Sequence, residues 1–182
     1  MSDDIASKTD AAFFRRMADN IEKYGWYVIK VMEEGDFPAF AYTIRLFQQF
    51  AHPEGIVVGL PLDMMHSLLN TLGQELNEGR SYRPGVLPSD FLNGAECSFG
   101  VVHPAQYEEY FGQAIRYYEH SMFPALQLYW PDKQGWYPSD PHFDPILHTR
   151  QPDLSLPLNS MEECLYDTTI YLRLSLVCPA LA

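Results

Sequence analysis

Residues 125–130 read Ala-Leu-Gln-Leu-Tyr-Trp, and the chain then runs directly into Pro131 and Asp132. An apolar and aromatic run this short, broken only by Gln127, reads as a strand. Pro131 has no N–H to give to a ladder and ends it. Gly135-Trp136-Tyr137-Pro138 follows at once, so the strand stops abruptly in a turn. This run commits the chain to a fold built around a sheet.

Other strands stand out beside it. Trp26 to Val31 is rich in β-formers, Gly35-Asp36 marks a turn, and Ala39 to Ile44 reads as the antiparallel partner. Gly55 to Leu60 is apolar on both faces, which predicts a central position. Cys97 to Val102 is a further strand. Helical spacing of Phe13, Phe14, Met17, Ile21 and Tyr24 predicts a helix over 9–24, with Gly25 just past its end. Pro61 opens a second helix whose buried stripe is Met65, Leu68, Leu69, Leu72 and Leu76. Pro104 opens a third, with Tyr107, Tyr110, Phe111, Ala114 and Tyr118 on its apolar face. Residues 80–95 read as loop, and 131–160 are Pro-rich and irregular. The expected class is α+β: a mixed or largely antiparallel sheet of about five strands packed with three main helices. Residues 1–155 are expected to form one domain and 156–182 a C-terminal extension. Thr168 to Val177 in that extension could add a strand or an oligomer contact.

Of the 182 residues 47% are hydrophobic, enough for a substantial core. Twelve Lys and Arg against 24 Asp and Glu leave a formal charge of −12. Such a surface repels phosphate backbones and anionic lipid, so neither nucleic acid nor a membrane is an expected partner. Cys97, Cys164 and Cys178 are widely spaced with no Cys-x-x-Cys, which fits reduced thiols in the cytoplasm. No apolar leader and no membrane-length apolar run is visible.

Several pieces together resemble a bacterial family known as domain of unknown function 4262. They are Gly25-Trp26, Phe40 to Ile44, His52-Pro53-Glu54, Gly59-Leu60-Pro61, Leu69-Asn70, Tyr107 to Tyr110, Ala125 to Asp132 and Gln151-Pro152. They span roughly residues 12–154; beyond about 155 the likeness stops. The resemblance implies no established activity and no catalytic residues. It does imply a glycine after Tyr-Thr-Ile, where this chain has Arg45. If that glycine serves a positive φ or a close backbone approach, Arg45 either changes the loop or fills the pocket.

Four constellations could carry chemistry. The Trp-Pro-Asp triplet suggests the acid loop of tyrosine phosphatases, but that reaction needs Cys-x5-Arg. His103 stands six residues after Cys97 and Ile170 six after Cys164, so the phosphatase reading is rejected in favour of a turn capped by Asp132. His52 and Glu54 could act as base and orienter, or as two metal ligands, in an acid/base or metal-assisted hydrolase; the structural account, which the sequence favours, has Glu54 bond loop amides and His52 cap a sheet end. His142, Asp144 and His148 have a ligand-like spacing for a borderline divalent ion, although the segment is Pro-rich and such histidines are commonly solvated. Finally, Tyr42, Arg45 and Gln127 could face one cavity with Trp130 and Trp136, aromatic walls around a few polar groups. Arg45 there could hold a carboxylate or phosphate bidentately. The competing account makes the aromatic residues core with a polar tip at the surface.

No G-x-S-x-G elbow, P-loop or G-x-G-x-x-G is present. The leading expectation is a non-catalytic binding domain that recognises a protein or small ligand through an aromatic pocket. The cofactor is left unassigned, and a homo-oligomer through the C-terminal extension stays open.

Overall fold

The computed structural model describes residues 2–85 and 97–157. Helix α1 runs Ser2–Tyr24, strand β1 Tyr27–Val31, β2 Phe40–Ile44, a one-turn helix α2 Leu46–Phe50, and β3 Glu54–Val58. Helix α3 follows over Leu62–Asn77, then β4 Ser98–Val101, a 3-10 turn Pro104–Gln106, α4 Tyr107–Tyr110, α5 Gly112–Tyr118 and β5 Ala125–Tyr129. A last 3-10 turn covers Pro145–Thr149.

The strands form one mixed sheet in the order β1-β2-β3-β5-β4. β1, β2 and β3 are antiparallel to one another, β3 and β5 run parallel, and β4 is antiparallel to β5. β3 is central, and every residue of it is buried, as its two-sided apolar pattern predicts. The class is α+β with three main helical segments. The third segment differs in detail: from Pro104 it begins as a 3-10 turn and breaks at Phe111, whose φ is −118°. Its apolar face is nonetheless buried as expected.

Two cores lie on opposite faces of the sheet. One joins Met17 and Ile21 of α1 with Phe40, Tyr42, Ile56, Tyr110, Phe111 and Phe123. The other joins the α3 stripe with Val57, Leu126, Leu128 and Trp130. Each fully buried Leu or Ile side chain contributes about 1.5–3 kcal/mol, so both faces matter to stability. Tyr24 is not part of the α1 stripe: it is 53% exposed, with the Lys23 ammonium over its ring. Helix α3 packs closest at Gly73, where a Cβ would run into the Trp26 indole. The indole N–H of Trp26 donates to Asn70 Oδ1 at 3.1 Å.

Residues 86–96 and 158–182 lie outside the described residues, and with them the Thr168–Val177 strand or oligomer contact. Among the described residues no helix is long and apolar enough to cross a membrane.

Candidate functional site

The connection between β2 and β3 is built around Glu54, which is fully buried at the start of β3. Its Oε2 accepts from Thr43 Oγ1 at 2.6 Å and from the Leu46 amide at 3.3 Å. Its Oε1 accepts from the Phe47 amide at 3.1 Å and from the Tyr118 hydroxyl at 2.5 Å. Four donors on two oxygens make an interior carboxylate tolerable. Burial still pushes its carboxyl above the usual range, against the pull of those four bonds. Thr43 Oγ1 in turn accepts the Gly55 amide at 2.8 Å. Glu54 is therefore the tie between β2, α2 and α5.

That tie fixes Arg45. The amides of Leu46 and Phe47 are held by Glu54, and the Arg45 amide lies on the Tyr118 hydroxyl. The turn between Ile44 and Leu46 then requires φ +86° at position 45. Left-handed backbone costs a side-chain-bearing residue about 1–2 kcal/mol, which is why glycine suits such a place. Arg45 keeps the turn that a glycine would make and adds a side chain. That side chain is half-buried and lines a cavity of about 650 Å³. Met17, Ala18 and Ile21 of α1 make its apolar wall, with Gln49, Tyr24 and Tyr117 around the opening and Glu22 at the rim. The Arg45 guanidinium makes no ion pair or side-chain hydrogen bond among the described residues. Burial raises the Tyr117 hydroxyl, and the guanidinium beside it pulls the other way. Tyr117 donates to Gln48 Oε1 at 3.1 Å.

The other expected pocket residues do not join Arg45. Tyr42 is buried on the α1/α5 face, where its hydroxyl accepts the Gln113 amide at 3.1 Å. Burial pushes that hydroxyl up to about 12, against the amides of Gln113 and Ala114. Trp130 is buried in the other core, on α3's side of the sheet, and its indole donates to Val58 O at 2.8 Å. Gln127 spends its whole amide on one segment: Nε2 donates to Pro152 O and Oε1 accepts from Leu154 N, at 2.8 and 2.9 Å. Gln151, which the sequence marks only as part of the family likeness and not as a site residue, does the reverse to Trp130, accepting its N–H and donating to its C=O. Trp136 stands apart on the surface at 40% exposed, its ring 5.0 Å from that of His142. One cavity shared by Tyr42, Arg45, Gln127, Trp130 and Trp136 is thus not formed, because the sheet separates Tyr42 from Trp130.

His52 and Glu54 also turn to different partners. His52 is 3% exposed, with Nδ1 2.7 Å from Pro53 O and Nε2 3.2 Å from Tyr82 O. A neutral imidazole has one N–H to give, and the shorter contact takes it. Burial holds the ring down to about 4, against the bond to Pro53. The ring borders a separate cavity of about 330 Å³ with Arg80 and Arg83. His142 Nδ1 meets Asp140 Oδ1 at 3.0 Å, Asp144 accepts the Ile146 amide, and His148 rests against the Phe143 ring. No three His, Cys, Asp or Glu among the described residues come close enough to share a metal ion. Asp132 caps its turn, Oδ1 accepting from Gln134 and Trp136 amides and Oδ2 from the Asp144 amide.

Fold and site together define an α+β domain with a mixed five-stranded sheet, a buried carboxylate that ties its turns together and, over a cavity, an arginine that makes no ion pair among the described residues. The family model for "Domain of unknown function (DUF4262)" matches residues 20–144, more than half of the chain, and the chain belongs to that family. No curated protein and no solved structure matches it.

Proposed function

We propose that this chain is a binding domain, and that the cavity around Arg45 takes a small carboxylate or phosphate bearing an apolar group. The observation that carries this reading is half-buried Arg45, held in a left-handed conformation over an apolar wall, with no ion pair or side-chain hydrogen bond to its guanidinium among the described residues. A non-glycine residue in a sparsely populated conformation persists where its surroundings over-determine it, and such places cluster at ligand sites. The cavity falls in the size range of small-molecule sites. A planar guanidinium suits a carboxylate or phosphate, and Tyr117, Tyr24 and Gln49 supply further polar atoms beside it. By contrast, Glu54 has all its oxygens engaged, which supports a structural rather than an acid/base task for it. Three widely spaced cysteines with no Cys-x-x-Cys support a reduced, cytoplasmic setting, and burial keeps the Cys97 thiol protonated and inert.

The test uses the full chain and three probes: benzoate, phenyl phosphate and benzylamine, followed by ligand-detected NMR. Benzoate or phenyl phosphate is expected to bind and benzylamine not to. Arg45→Gly is expected to abolish that binding while leaving the thermal midpoint within about 5 °C, since left-handed relief and added chain entropy nearly cancel. Equal binding of all three probes, or anion binding unchanged in the variant, refutes the reading.

A further inference from the structure

A second concavity lies at the other end of the sheet, where β1 and β3 finish. It encloses about 910 Å³ between the β1–β2 hairpin and the turn that enters α3. Met32, Phe37 and Pro38 form one wall, and Leu60, Pro61 and Leu62 the other. Both walls are held before anything binds. The hairpin tip closes on a Glu34–Phe37 bridge, with backbone bonds of 3.1 and 3.0 Å. Phe37 is anchored on the Tyr110 and Phe40 rings at 5.1 and 5.8 Å. Opposite, the Gly59 amide donates to Ala39 O at 2.8 Å, and Gly59 O accepts from the Arg150 guanidinium at 3.1 Å. Gly59 has φ +81° and no room for a Cβ against the Arg150 carbonyl. Groove and turn are one rigid construction.

The groove's chemistry is mixed in a directed way. Met32 is 74% exposed at its mouth, an unbranched, polarizable side chain of the kind that adapts to a partner. Glu33 and Asp36 stand on the rim and Glu34 beside them, all exposed, while Arg150, the one cation among the described residues lining the groove, is turned onto Gly59 O. The chain as a whole carries −12, so its field draws cations toward this acidic mouth. A second copy would bring the same sign of charge.

We infer that the groove between the β1–β2 hairpin and the Gly59–Leu62 turn docks a cationic, apolar peptide segment of another protein. Apolar side chains of the segment lie between the Phe37–Pro38 and Leu60–Leu62 walls, and its lysines or arginines meet Glu33 and Asp36. This goes beyond the anion site at Arg45 and does not rest on it, since the two cavities share no lining residue.

Three fluorescein-labelled seven-residue peptides test it against the full chain by anisotropy: alternating lysine and leucine, lysine and serine, and glutamate and leucine. The lysine–leucine peptide is expected to bind, and to shift backbone amides of Met32, Phe37, Ala39 and Leu60 in a 15N correlation spectrum. Reversing the rim with Glu33→Lys and Asp36→Lys is expected to weaken it about tenfold or more. The control pair Asp19→Lys and Glu78→Lys, which changes net charge equally on exposed positions elsewhere, leaves binding within about twofold. Equal binding of the lysine–serine peptide, preferred binding of the glutamate–leucine peptide, no binding, or shifts centred elsewhere would each overturn the proposal. So would light scattering that shows a dimer broken by the rim reversal, because a second copy would then occupy the groove.

Discussion

Arg45 and Glu54 belong to one local construction. The carboxylate gathers the Leu46 and Phe47 amides, and the turn so formed forces a left-handed φ onto the residue before them. Removing the carboxylate strands two hydroxyls and two amides in the interior, each costing on the order of 1–3 kcal/mol if left unsatisfied. Glu54→Ala is therefore expected to lose about 3 kcal/mol or more in urea unfolding. Glu54→Gln, which places an amide N–H₂ where donors already point, is expected to lose a smaller but clear amount. A loss below about 1 kcal/mol for Glu54→Ala would mean that the buried network is not what holds this turn.

At the scale of elements, strands were legible where both faces are apolar, as in β3 and β5, and helices where the stripe runs for several turns, as in α3. Helix α2 was not legible: it is one turn long, and the carboxylate that satisfies its first amides comes from Glu54, beyond its far end. The candidate pocket failed for a related reason. Tyr42 pairs with Ile56, and Ile56 with Gln127, so these three lie in one row across the sheet. Trp130 is three positions past Gln127, on the opposite face by the period of two. That period was readable, but the register joining β2 to β5 was not. Arg45's cavity depends on α1 and α5, which local sequence cannot bring together. The motifs that carry the family likeness prove to be clamps: Trp26 on Asn70, Trp130 on Val58, and Gln151 on the Trp130 backbone. Gln151→Ala leaves a buried N–H and C=O of Trp130 unpaired, so about 1–3 kcal/mol of stability is expected to go. Hydrogen exchange checks it more locally, with the Trp130 amide exchanging markedly faster than in the parent while β2 amides stay protected. Unchanged exchange at Trp130 would show that the clamp adds nothing.

For the whole molecule, the buried titratable groups set how stability follows pH. His52 in the folded chain titrates near 4, below its ordinary value, so between about 4 and 6.5 the unfolded chain binds more protons at this site. Its contribution is intact above pH 6.5 and is lost as pH falls toward 4. Glu54, raised by burial, acts with the opposite sign: the stability it adds is present at low pH and lost as pH rises through its folded value. Comparing the parent with His52→Gln isolates the first effect. From pH 7 to pH 5 the parent is expected to lose about 2 kcal/mol more than the variant in urea unfolding. Identical losses would mean that His52 is protonated in the folded state at pH 5.

The central claim, an anion held by Arg45, is tested most directly by titrating the 15N-labelled full chain with phenyl phosphate. Saturable shifts are predicted at the amides of Gly25, Arg45, Gln49 and Tyr117, all lining the same cavity, and their disappearance is predicted in Arg45→Gly. Shifts that never saturate, or that centre instead on Arg80 and Arg83 beside His52 or on Arg150 in the hairpin groove, would contradict it.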